Sequence, residues 1–195
     1  MNRKALLLIT FIVEGGLFLI GLLLMGGLQE AQSRFTLSWG ATAYALLFCL
    51  PMLAILYFAM RSKWPTLSRL KAEIEEKIQP IFANSTIIDL AVIAFLAGTG
   101  EELFFRGWLQ GALTSKFEAW VGILITSAIF GFAHYLSTSY AIYACLTGLY
   151  LGIIYQASGN LYIVMVIHAV YDFIALVYLV EKRRDKGTEL HAVER

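Results

Sequence analysis

The chain has 195 residues, 59% of them hydrophobic, and a mean hydropathy of +0.71. Ordinary soluble domains are nearer ~45–50% apolar, so an excess of this size has no single small core to hide in, and a lipid bilayer is the implied solvent. A formal net charge of +1 says little by itself about partners, among which no nucleic acid is expected, and Cys49 and Cys145, far apart in apolar runs, form neither a disulfide framework nor a C-x-x-C metal motif and read as packing residues.

Six apolar stretches are long enough, at ~1.5 Å per residue, to cross a ~30 Å hydrocarbon layer: 4–27, 39–60, 86–113, 118–136, 140–157 and 161–180. The first starts on Arg3 and Lys4, has a longer apolar run than a signal core and no clean small-x-small cleavage site, so it reads as a retained anchor. The polar segment 61–83 places Leu67, Leu70, Ile74, Ile78 and Ile81 at helical spacing opposite Arg69, Lys71, Glu73 and Lys77, with Glu73 and Lys77 an i,i+4 pair. Such a helix lies on the membrane surface or packs on the protein as a linker. In the third stretch Gly98, Gly100, Gly107 and Gly111 predict an interruption, with the far end bent away or continuing as a separate short helix. An even number of crossings puts both termini on one side with 61–83 and nearly all the lysines and arginines, against Arg34 and Lys116 opposite. The termini are therefore expected to be cytoplasmic. The predicted architecture is an all-α polytopic membrane bundle of about six transmembrane helices and one interfacial amphipathic helix. It divides into 1–85 (two transmembrane helices and the amphipathic linker), 86–181 (the helical core that carries the chemistry) and 182–195 (a polar tail).

Ionisable side chains inside a membrane are costly and usually functional. They cluster as Glu101, Glu102 and Arg106 in the third stretch, His134 in the fourth, and His168 and Asp172 in the sixth. On a helix Glu102 and Arg106 are one turn apart and can pair, which lowers the cost of burying both. Glu101 points ~100° away, with no cation on its own helix, which suits it to act as a base. Phe130 and His134 share a helix face, as do His168 and Asp172, so that Asp172 can orient the imidazole, bind a metal beside it or help hold an oxyanion. Taken singly, each group also fits a plainer role: acids that line an ion path or brace the fold, a hydrogen-bonded packing histidine, a His–Asp pair that joins two helices. At ~1.5 Å per residue, His168 falls ~10 Å and His134 ~24 Å below the non-cytoplasmic side, so straight crossings would not bring the two imidazoles together.

Glu-Glu-x-x-x-Arg at 101–106, Phe-x-x-x-His at 130–134 and His-x-x-x-Asp at 168–172 together resemble the CPBP family, the CAAX-protease and bacteriocin-processing membrane endopeptidases also called Abi. The resemblance covers about 88–174; some relatives carry Asn at the position of Asp172. It implies a helical bundle converging on a hydrated cavity. There Glu101 with His134 activates a water, His168 and Asp172 stabilise the oxyanion or join a metal site, and Glu102 and Arg106, with Phe130, support the architecture. The implied substrate is a membrane-associated peptide or protein, CAAX-like or of bacteriocin or leader type, and the implied setting a bacterial inner membrane. The implied cofactor is Zn²⁺ on His134 and His168 with Glu101 or Asp172, or none. Ionised Glu101, Glu102 and Asp172 with Arg106 sum to a charge of −2, which a divalent ion or two protons would neutralise, so Asp172 favours a metal more than Asn would. Two other classes stay open: a non-catalytic scaffold or bacteriocin self-immunity protein, and a transporter or proton-relay subunit, the latter disfavoured by the absence of a hydropathy repeat.

Overall fold

The computed structural model describes residues 2–193, with side chains through residue 183. Eight helices follow one another: α1 (Arg3–Leu24), α2 (Leu28–Ser33), α3 (Trp39–Arg61), α4 (Pro65–Phe82), α5 (Ile87–Thr114), α6 (Ala119–Ala133), α7 (Thr138–Ser158) and α8 (Leu161–Val193), and no strand occurs among the described residues. The expected helical membrane bundle is what is observed, with a different count of long spans. Four helices are long and apolar enough to cross a membrane, namely α1, α3, α7 and Leu161–Arg183 of α8, and α4 with α5 qualifies jointly but bends by 110° between them. Helix α6, expected to cross, has 15 residues, or ~22 Å, and stops short. The fifth stretch, 140–157, becomes α7, which starts earlier than its apolar run because Ser137 caps it, accepting a hydrogen bond from the Tyr140 amide. The polar tail expected from 182 continues α8 to Val193; Arg195 lies outside the described residues.

Helix α8 is the axis of the bundle. Of its apolar window 44% is buried, against 11% for α1, which faces outward along most of its length. Val164 and Ile167 of α8 meet Ala45, Cys49 and Met52 of α3 and Leu151 and Ile154 of α7 in the main core. Cys49 is buried there and Cys145 is free as well, as packing residues should be. Exposed Trp39 and Trp64 flank the two ends of α3, where amphipathic rings mark the two membrane–water boundaries.

Helices α1 and α5 run parallel and in register. At their starts Arg3 grips Asp89 with two nitrogens, at 2.6 and 2.9 Å. Asp89 also closes a capping box with Thr86. Further along, a Cβ on Gly100 would stand 2.4 Å from the carbonyl oxygen of Glu14, and one on Gly21 would stand 2.9 Å from the Phe104 amide. The glycines of α5 therefore do not break it, as their spacing had suggested; they let neighbouring backbones come close. What interrupts the α-helix is a π-helical segment, Leu103–Gln110, beginning directly after Glu102. Insertions of this kind concentrate at functional sites.

Helix α4 packs on the protein. Leu70 and Ile74 are buried against Met60 and Leu179, and Gln79 donates to the Leu179 carbonyl at 2.7 Å. Glu73 and Lys77, expected to pair with one another, instead reach the turn after α6, Glu73 accepting from the Ser137 hydroxyl and Lys77 donating to the Leu136 carbonyl.

Candidate active site

The motif residues come together inside the bundle. Glu102 and Arg106 are fully buried, Glu101 and His168 nearly so, while His134 and Asp172 keep about a third of their side chains open. The i,i+4 pair forms as the spacing predicts, with Arg106 Nη1 2.7 Å from Glu102 Oε1. Arg106 Nη2 donates to the Gly148 carbonyl at 2.9 Å, and one turn on Gln110 donates to the Gly152 carbonyl at 2.9 Å. Two polar side chains of α5 thus read two carbonyls of α7 that are left bare because both residues are glycine. The Arg106 guanidinium also lies 4.7 Å from the centre of the Phe130 ring, a cation–π contact.

Phe130 organises the histidines. Its ring stacks on His134 at 4.4 Å and meets His168 edge-on at 6.2 Å. His134, at the C-terminal cap of α6, is brought in by a helix that ends at the site instead of crossing beside it. That is why the two imidazoles share a depth that straight crossings would have denied them.

Each imidazole has one nitrogen committed to an acceptor. His134 Nδ1 lies 2.9 Å from the Phe130 carbonyl, and His168 Nδ1 lies 2.7 Å from Glu102 Oε1. Both Nδ1 atoms therefore carry hydrogen, and both Nε2 atoms turn to Glu101, His134 at 3.5 Å and His168 at 4.0 Å. His168 Nε2 is also 3.4 Å from Asp172 Oδ2. Glu101 Oε2 is buried with no hydrogen-bond partner among the described residues. A protonated His134 pairs with Glu101 directly; in the neutral form its Nε2 and the Glu101 carboxylate are both acceptors and call for a donor between them. A water ~2.8 Å from each satisfies both.

Among the described residues no three His, Cys, Asp or Glu side chains are arranged to hold a metal ion. The carboxylate nearest an imidazole, Glu102, already serves Arg106 and His168 Nδ1.

One ionisable group near the site escaped the sequence reading. Glu14 stands halfway along α1, its Oε2 buried without a hydrogen-bond partner among the described residues, and it lies within Coulombic reach of Glu101, His168, His134 and Asp172. A lone carboxylate in an otherwise apolar span was the available signal.

Residues 83–174 match the family model described as type II CAAX prenyl endopeptidase Rce1-like. The matched segment contains all seven motif residues, from Glu101 to Asp172, and excludes α1 with Glu14. Neither the curated proteins nor the solved structures give a match.

Proposed function

We propose that the chain, whose residues 83–174 are similar to the Rce1-like family of CAAX-type membrane proteases, hydrolyses a peptide bond of a membrane-associated substrate with a water held between Glu101 and His134. The observation that carries this is the approach of Glu101 Oε1 and His134 Nε2, 3.5 Å apart and facing each other inside the bundle.

Glu101 takes a proton from the water as its oxygen attacks the substrate carbonyl carbon, and the carbonyl π electrons move to its oxygen. His168, protonated on both nitrogens, holds that oxyanion through Nε2–H while its Nδ1–H stays on Glu102. Asp172 is a carboxylate where some relatives have an amide donor, and an ionised carboxylate does not donate to an oxyanion. At 3.4 Å from His168 Nε2 it favours the imidazolium instead. Collapse of the tetrahedral intermediate breaks the C–N bond, and the proton on Glu101 passes to the departing amine. Glu102 and Arg106 keep the imidazole and the π-helical segment in place. The termini are cytoplasmic in this reading, on the side rich in lysine and arginine.

The test compares membrane-protein termini in cells carrying the wild-type chain and the Glu101→Gln variant. Cleavage products present with the first and missing with the second support hydrolysis. Identical termini, with both proteins inserted at equal levels, overturn it.

A further inference from the structure

A cavity of about 280 Å³ lies beside the site, near the small end of the range for ligand pockets. Its walls come from α1, α3, α4, α5, α7 and α8; Ala97, one turn before Glu101, and Asp172 connect it to the reacting groups. Most of the lining is aliphatic. The polar exceptions include Tyr140, Tyr143 and Tyr171, and the ionisable acids are Glu14 and Asp172, with no lysine, arginine or histidine among the described lining residues.

Burying a carboxylate in low dielectric is unfavourable unless it keeps its proton or meets a cation. The nearest fixed cation, Arg106, is already engaged by Glu102 and the Gly148 carbonyl, and the histidines direct their Nδ1–H groups elsewhere. The His168 imidazolium is held between Glu102 and Asp172, so of the two acids in the described lining Glu14 is the one whose Oε2 is buried with nothing to bind.

We infer that Glu14 is a specificity-determining residue of this cavity, the counter-ion for a lysine or arginine side chain carried by an otherwise apolar substrate segment. The inference deepens the proteolytic reading of the same site.

The experiment uses the purified 195-residue protein in micelles. Its probes are fluorescein-labelled, C-terminally amidated decapeptides of leucine and alanine with one central lysine, norleucine or glutamate, followed by anisotropy and corrected for binding to empty micelles. The lysine peptide is expected to bind about tenfold more tightly than the norleucine peptide, and the glutamate peptide more weakly than either. In Glu14→Gln, which keeps the side chain's shape, the lysine and norleucine peptides should bind alike. Norleucine binding as tightly as lysine in the wild type, or a lysine preference that survives in Glu14→Gln, overturns the inference. Should that variant not accumulate, the wild-type ratio still decides. Cleavage of the same peptides separates the two claims: a lysine preference without cleavage sinks the proteolytic reading alone, and cleavage without the preference sinks this one alone.

Discussion

His168 Nδ1 and Arg106 Nη1 both bind one oxygen of Glu102, each at 2.7 Å. The carboxylate expected only to brace the arginine therefore also fixes which imidazole nitrogen faces the reacting side. Glu102→Gln should lose both functions. An unpaired buried charge costs about 3–5 kcal/mol, so the variant should melt well below the wild type in detergent. Arg106→Lys should not substitute for arginine, since a single ammonium cannot serve Glu102 and the Gly148 carbonyl in the same fork geometry. A Glu102→Gln protein that melts within about 1 kcal/mol of wild type would contradict the shared-carboxylate arrangement.

Glu101 should behave in the opposite way. Its Oε2 has no hydrogen bond to lose among the described residues, only the 4.0 Å approach of His168 Nε2, so Glu101→Gln is expected to be at least as stable as the wild type. Removal of a positioned general base typically costs ~10²–10⁴ in rate. Paired measurements of melting and peptide cleavage check this; equal loss of both would mean that Glu101 braces the fold and does not act on water.

The contrast between these two neighbours shows what the sequence could carry. Helical spacing alone paired Glu102 with Arg106 and His168 with Asp172, because i,i+4 contacts are local. The meeting of His134 with His168 was beyond it, since that depends on α6 ending after 15 residues, and apolar composition does not distinguish a helix that crosses from one that stops at a site. The π-helical segment after Glu102 was equally hidden, because the glycines around it suggest a break and not a change of helix type. Glu14 was legible as an acid within an apolar run, but only the Glu14–Gly100 contact placed it beside Glu101.

Metal dependence gives a third test. The resemblance implied either Zn²⁺ on His134 and His168 or no metal, and the charge count made Asp172 favour a metal more than Asn would; we propose the metal-free form. Activity of protein stripped with a chelator is therefore expected to stay within about twofold of untreated protein, with no bound metal found in either the wild type or Asp172→Asn. Activity lost on stripping and restored by zinc alone would reinstate the metal, and more zinc in the wild type than in Asp172→Asn would assign Asp172 as a ligand.

The close helix crossings can be tested with single methyl groups. A Cβ on Gly98 would stand 2.8 Å from the Ala169 amide nitrogen and 2.9 Å from the Met165 carbonyl oxygen, both backbone atoms of α8 that cannot rotate away, whereas one on Gly16 of α1 would meet nothing within 4 Å. Gly98→Ala should push α5 from α8 one turn from Asp172 and lower stability by about 1–3 kcal/mol, with a larger proportional loss of cleavage because Glu101 and His168 sit on the two helices being separated. Gly16→Ala should be neutral or stabilising by roughly 0.5–1 kcal/mol, the usual gain of alanine over glycine within a helix. Melting and cleavage measured on both variants decide it. If Gly98→Ala is as stable and active as Gly16→Ala, the α5–α8 contact is not the close one that holds the site together.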